Sequence, residues 1–262
     1  MTPIEGAALK LETARTELED IEIRLLLEGI RLCYGYDFRE YALAPIRRGL
    51  SAAMAREHVP TVSAFQDRVL HNGSVMQQFL GAVGVNVTTM FRDPETIRCL
   101  REEVVPLLRT YPSCRLWVAG CATGEEVYAL AVARLGSYPL DRIRRFDEAY
   151  LASGGRGSLS DHYSIAGRSA HFSRDLQKSV TWARHNLASD GSFNDFHLIS
   201  CSNVLIYFRE SLQARAHRLM YDSLIRGGYL VLGKRESLLS CPERDHYEQV
   251  RDNVSVFRKM RW

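Results

Sequence analysis

Leu116-Trp117-Val118-Ala119-Gly120-Cys121-Ala122-Thr123-Gly124-Glu125-Glu126-Val127-Tyr128 is the stretch that decides the fold. An apolar run meets a glycine loop, and the loop opens a helix-patterned segment from Val127 to Leu135, so a strand hands over to a helix around glycine. In open α/β sheets ligands gather beyond the carboxyl ends of the parallel strands, and glycine lets backbone approach them closely. Glu125 and Glu126 would repel a pyrophosphate. They suit a ligand with an ammonium group or ribose hydroxyls, such as S-adenosylmethionine. Thr123 and Glu126 also have the spacing of a capping box, in which both side chains satisfy free backbone amides. On the residues alone both readings of Glu126 stand.

Outward from this loop the chain changes character. From about Glu17 to Val83 apolar residues recur at helical spacing, as in Ile21, Leu25, Leu26 and Ile30, then Phe65, Val69 and Leu70, then Phe79, Leu80 and Val83. Pro45, Pro60 and Asn72-Gly73 punctuate this region at helix ends. Beyond Pro94 one more amphipathic helix spans Ile97 to Val105, and from Arg115 short strands alternate with helices. The strand candidates are Arg115 to Ala119, Ser179 to Trp182, Phe196 to Cys201 and Tyr229 to Leu232. A helix from Ser211 to Ile225 lies between the last two, closed by Gly227-Gly228. His246 to Val250 and Val254 to Lys259 flank the turn signal Arg251-Asp252-Asn253, which predicts a terminal antiparallel hairpin. Tyr150 to Phe172, rich in Gly and Ser, reads as an inserted loop or small β subdomain. The expected division is an all-α domain with linker over 1–90 and an α/β domain over 91–262, with the β insertion near 150–172.

Composition narrows the classes. A chain of 262 residues with 46% hydrophobic residues can bury a full core. The formal charge of +3 is mild and the basic residues are scattered, which gives no reason to expect nucleic acid or a membrane surface. Arg47-Arg48 and Arg144-Arg145 read as solvated faces. The six cysteines show no C-x-x-C spacing, which fits reduced thiols and no zinc. No apolar stretch approaches the roughly 20 residues that span a bilayer, and the N-terminus lacks a signal pattern. The expectation is a cytoplasmic protein.

Several polar signals fall just past predicted strands or before the sheet. His185-Asn186-Leu187 follows Trp182, and Asn203 follows the run ending at Cys201. An asparagine at a strand end can donate and accept at once, which suits the edge of an adenine ring or an amino-acid moiety. It can equally make its own turn. In Asn86-Val87-Thr88-Thr89-Met90-Phe91-Arg92-Asp93-Pro94 polar side chains alternate ahead of an arginine, and Asp93-Pro94 suits a helix start. Tyr207, in Asn203-Val204-Leu205-Ile206-Tyr207-Phe208, points either into a cleft or into the core.

Together these segments resemble the chemotaxis receptor methyltransferases, the CheR family, from about Ile21 to the C-terminus. The family's NVTxMFRDP stretch is matched at Asn86 to Pro94, WVAGCATGEEVY at Trp117 to Tyr128, HNL at His185 to Leu187 and NVLIYF at Asn203 to Phe208. The resemblance implies a Rossmann-like methyltransferase domain with a terminal antiparallel hairpin, preceded by a small all-α domain. It also implies methyl transfer from S-adenosylmethionine, leaving S-adenosylhomocysteine, to glutamates in the cytoplasmic domain of chemotaxis receptors or related signalling proteins. By position it assigns cofactor contacts to Asn86, Thr88, Arg92, Glu126, Asn186, Leu187, Asn203 and Val204, and places Arg92 and Tyr207 nearest the transferred methyl. A monomer is expected.

The likeness breaks after the glycine-loop helix. The family's second strand, whose aspartate binds the ribose hydroxyls, and the helix after it have no counterpart: Leu130 to Leu135 runs into Gly136-Ser137-Tyr138-Pro139-Leu140. Asp141 and Asp147 are the nearest acidic residues, in a setting that reads as polar helix or loop, and neither is assigned the ribose. Ser202 also stands where the family commonly has arginine. Losing hydrogen bonds to a charged acceptor costs about 1.5–3 kcal/mol each. Two rival readings follow: a CheR-like interaction module with weakened or no catalysis, and a nucleic-acid methyltransferase, against which stands the lack of a Pro-Pro-Tyr type motif near Asn203.

Overall fold

The structure is a computed structural model that describes residues 3–83, 90–121, 137–172, 180, 181, 183 and 185–261. The chain forms two compact units, Met1–Asn86 and Val87–Trp262.

The first unit is helical: α1 (Pro3–Tyr34), α2 (Leu43–Glu57), α3 (Val62–His71) and α4 (Gly73–Val83). Pro60 lies between α2 and α3. Thr61 caps α3 by accepting the Ala64 amide at 3.2 Å, and Asn72 accepts the Ser74 amide at 3.0 Å where α3 gives way to α4. The core gathers Ile23, Leu26, Ile30, Ile46, Phe65 and Phe79. α1 carries two apolar faces, because Leu26 and Ile30 are buried while Ile21 and Leu25 are exposed. Arg47 pairs with Glu19 at 2.9 Å and with Asp20, so this arginine ties α2 to α1 rather than serving only as a solvated face.

The second unit opens with a helical run: α5 (Pro94–Cys99), a π turn (Leu100–Val104) and α6 (Val105–Leu108). Asp93-Pro94 starts it as expected. Pro106 has no amide to offer the preceding turn, and the Val105 amide reaches Leu100 in the wider π pattern. Five strands follow in one sheet: β1 (Leu116–Val118), β5 (Phe196–Cys201), β6 (Leu224–Leu232), β7 (Tyr247–Gln249) and β8 (Val256–Lys259), ordered β1-β5-β6-β8-β7. β1, β5 and β6 are parallel, while β8 and β7 add the antiparallel terminal hairpin. All six residues of β5 are buried, as befits a central parallel strand.

Among the described residues β1 pairs only with β5, so it stands at the edge where the sequence lacks the family's second strand. A second, three-stranded sheet is ordered β2-β4-β3, from β2 (Ser137–Pro139), β3 (Tyr163–Ala166) and β4 (Ser169–Phe172). The inserted β unit therefore exists, and it draws β2 from outside the 150–172 stretch. Tyr150 belongs to α7 (Leu140–Ala152), whose Phe146 meets Tyr138 edge-on at 5.5 Å. Asp141 and Asp147 both lie on α7, a helix as their setting suggested.

Two expectations are corrected. The described residues Val180 and Thr181 of the expected strand Ser179–Trp182 belong to neither sheet; Val180 instead packs against the hydrophobic core. A β-prone run becomes a strand only where a partner edge receives it. Gly227-Gly228 does not close the helix. α8 (Glu210–Ser223) ends directly in β6, and the two glycines lie inside that strand, where Gly227 has φ +80°. The pairing of β5 with β6 jumps there, from Phe196↔Leu224 to Leu198↔Tyr229, so the glycines absorb an irregularity in the ladder.

Candidate active site

The carboxyl ends of β1 and β5 meet through a glycine. Gly120, just past β1, has φ +69°, and a Cβ there would fall 2.5 Å from Cγ2 of Val204, just past β5. Only glycine allows this backbone conformation and this approach together. Asn203 is itself left-handed, with φ +60°, a conformation asparagine tolerates better than most residues. Val204 thus lies against Gly120, with Asn203 next to it in the chain.

The loop after β5 is held on two sides. Glu236, 7% exposed, accepts the backbone amides of Asn203 at 2.8 Å, Leu205 at 2.7 Å, Ile206 at 3.4 Å and Gly233 at 2.7 Å. Gln213, on α8, donates to the carbonyls of Leu205 and Phe208, both at 3.1 Å. Between these two clamps runs a short 3₁₀ turn, Leu205–Tyr207. Leu205 and Phe208 are buried and Tyr207 is half-buried, so Tyr207 is not a core tyrosine. Neither Glu236 nor Gln213 was singled out in the sequence. The available signal was Glu236 three residues after Gly233 at a strand end, and it acquires meaning only when four amides converge on it.

The segment His185-Asn186-Leu187 adjoins β1 through its histidine. The ring of His185 meets Trp117 of β1 edge-on at 5.0 Å, and Trp117 also contacts Phe193 and Phe196 at 5.1 and 5.6 Å. Leu187 is buried. Asn186 is exposed, and its Oδ1 accepts the Ala188 amide at 3.0 Å while its own amide donates to Asp190 at 2.8 Å. Its carbonyl oxygen therefore makes the local turn that was one of its two readings.

Arg92 is exposed between two left-handed residues, Phe91 and Asp93, both with φ +56°. A positive φ at a phenylalanine is costly and persists only where the surroundings impose it. The Phe91 ring is buried against Tyr150 at 5.3 Å, with the Arg101 guanidinium 5.2 Å from the Tyr150 centroid. An anchored phenylalanine thus presents the neighbouring arginine. Beside this turn an open cleft of about 380 Å³ runs past Asp93, Glu95, Arg98, Lys234 and Asn253. Asn86, Thr88 and Glu126 lie outside the described residues.

No group of His, Cys, Asp or Glu among the described residues is arranged to hold a metal ion, and no helix there is long and apolar enough to cross a membrane. The described cysteines are all free thiols.

A parallel sheet whose strand ends meet at a glycine, with an asparagine just past β5, defines a site of the Rossmann-like methyltransferase class. The chain belongs to the CheR methyltransferase family: the family's S-adenosylmethionine-binding domain matches residues 86–139 and 132–254, and its all-alpha domain matches 21–83. The two overlapping segments meet where the sequence lacks the second strand and its helix. The chain is similar to "Putative methyltransferase Cher3" of Pseudomonas putida, 41% identical over 265 positions covering 92% of this chain and 97% of that protein. It is also similar to a chemotaxis protein methyltransferase of Listeria innocua, 25% identical over 79% of this chain and 86% of that one. Chemotaxis protein methyltransferase 2 of Vibrio cholerae is 27% identical over 71% and 74%. S-adenosylmethionine is the cofactor of this family domain, and the contact of Gly120 with Val204 brings the ends of β1 and β5 together, the place where ligands gather in open α/β sheets.

Proposed function

We propose that the protein transfers the methyl group of S-adenosylmethionine to glutamate side chains in the cytoplasmic domain of chemotaxis receptors. One observation carries this reading: Gly120, Asn203, Val204 and Tyr207 are gathered at the ends of β1 and β5 in a chain of the CheR family. The relatives named chemotaxis protein methyltransferase support the receptor as acceptor.

When bound, the cofactor supplies an electrophilic methyl on a sulfonium. The protein's own task is orientation. A glutamate with pKa about 4.3 is already ionised at neutral pH and is its own nucleophile, so no strong base is required. In-line approach to the methyl is then chiefly a matter of proximity and alignment. Arg92, exposed beside the cleft, has the planar fork that pairs with a carboxylate. Tyr207, half-buried in the turn after β5, takes the other side of the transferred methyl on this reading. Asn203, Val204, Asn186 and Leu187, with Asn86, Thr88 and Glu126 of the matched segments, take the cofactor.

A second reading, an interaction module with weakened catalysis, draws on one observation. Among the described residues the sheet ends at β1, and Asp141 and Asp147 sit on α7, which follows a strand of the small three-stranded sheet and not one of the five-stranded sheet. Incubation with methyl-labelled S-adenosylmethionine and receptor cytoplasmic fragments separates the two. Label released as methanol by mild base identifies glutamyl esters; S-adenosylhomocysteine binding without any ester would favour the module.

A further inference from the structure

Glu236 is a carboxylate with 7% exposure, and none of the described ion pairs includes it. Its counter-groups are backbone amides. Oε2 takes the amides of Asn203 and Gly233, at 2.8 and 2.7 Å, and Oε1 takes those of Leu205 and Ile206, at 2.7 and 3.4 Å. A cluster of amides aimed at one point makes an anion site, here filled by the chain's own side chain. The donors come from two places: the loop that leaves β5, and Gly233, just past β6. The Glu236 amide also returns to the Gly233 carbonyl at 2.8 Å, closing a tight turn under the carboxylate.

The space around this turn is fully used. A Cβ on Gly233 would lie 2.8 Å from the Asn203 amide nitrogen, 2.8 Å from Glu236 Oε2 and 3.0 Å from Asn203 Nδ2. Gly233, Glu236 and Asn203 are thus one packed hub, with the left-handed Asn203 at its edge. A buried carboxylate so near Tyr207 invites assignment as a general base. Its geometry argues otherwise, since both oxygens are engaged by backbone amide donors.

We propose that Glu236 is the positioning residue of this site: it fixes Asn203 and the turn bearing Tyr207 in the arrangement that receives the cofactor, without touching the reacting atoms. The inference rests on the cofactor reading above. It follows that charge and both acceptor oxygens matter, not volume. Glu236→Gln is nearly isosteric, yet its Nε2 must face one of the two amide pairs, and donor against donor forces that pair open. Glu236→Asp keeps the charge but is one methylene short of the loop.

The test uses the full chain, with S-adenosylhomocysteine as the calorimetric ligand and hydrogen exchange measured over peptides containing 203–208 and 233. Glu236→Gln is expected to exchange faster in these peptides and to bind S-adenosylhomocysteine about tenfold or more weakly. Where turnover is measurable, both a raised KM for S-adenosylmethionine and a lowered kcat are expected, and Glu236→Asp is expected to rescue neither. A purely structural glutamate would lower thermal stability but leave affinity and KM of the folded protein unchanged, and that outcome overturns the proposal. Unchanged exchange in Glu236→Gln overturns it as well.

If Glu236→Gln does not fold, Gly233→Ala puts the same strain on the hub while leaving the carboxylate in place. The same loss of affinity is expected, and full affinity in that variant sinks the idea. No heat from the folded wild-type protein would instead bring down the cofactor reading and this consequence with it. Protection from exchange lost only in the variant would still identify Glu236 as the clamp, so the two failures are distinguishable.

Discussion

A side-chain carbon on Gly120 would lie 2.5 Å from Cγ2 of Val204, so the ends of β1 and β5 touch only because residue 120 has no Cβ. Gly120→Ala meets two penalties. The left-handed φ of +69° costs an L-residue about 1–2 kcal/mol, and overpacking adds about 1–3 kcal/mol. Urea denaturation should register a loss of about 2–5 kcal/mol. Adding Val204→Ala should recover the steric part and leave the backbone part, a coupling that a double-mutant cycle isolates. Strict additivity of the two substitutions would refute the contact.

Asn203 separates backbone from side-chain roles. Its φ of +60° is free to glycine and costly to alanine. Asn203→Gly should therefore retain stability to within about 1 kcal/mol, and Asn203→Ala should lose about 1–2 kcal/mol by comparison with it. Both should weaken S-adenosylhomocysteine binding to the same degree, because both remove the amide. Calorimetry showing full affinity in Asn203→Gly would remove this side chain from the cofactor site.

The all-α unit, β1, the buried β5 and the terminal hairpin were all legible in the sequence, since each rests on a local period or a turn signal. Phe196–Cys201 is a continuous apolar run, and it is β5 over those same residues. The errors arise where pairing decides. Val180 and Thr181 have strand character but no partner edge, and Gly227-Gly228 looks like a helix stop until β6 is seen to continue through it. Asn203, Val204 and Tyr207 were read as following a strand, and they do follow β5. Glu236 was not, because its role depends on amides more than 25 residues away along the chain, as with Leu205.

Arg92 offers a charge-neutral test of the acceptor side. It is exposed, so Arg92→Lys should change stability by no more than about 0.5 kcal/mol. The lysine keeps the charge and loses the bidentate fork. On the proposed reading KM for the receptor fragment rises while the affinity for S-adenosylhomocysteine moves less. Initial rates across acceptor concentrations measure the first and calorimetry the second. A variant impaired only in S-adenosylhomocysteine binding would place Arg92 on the cofactor instead of the acceptor.

His217 makes stability sensitive to acid. It lies on α8 at 1% exposure, and its Nδ1 has no hydrogen-bond partner among the described residues. Burial pushes its pKa down to about 4, against the opposing pull of the Ser237 backbone and the Glu243 carboxylate. In the unfolded chain the value is about 6.5. Between about pH 6.5 and 4 the unfolded state therefore binds more protons than the native state, and stability falls as the pH is lowered through that window. Above about 6.5 the contribution is fully present. Below about 4 both states are protonated and it is gone, a total of about 3 kcal/mol. Urea unfolding at several pH values should show this slope in the wild type and a flatter curve in His217→Leu over the same window. Carboxylates destabilise both proteins alike at the acid end, so the difference between the two curves belongs to the histidine. Parallel curves would mean that His217 titrates normally in the folded protein.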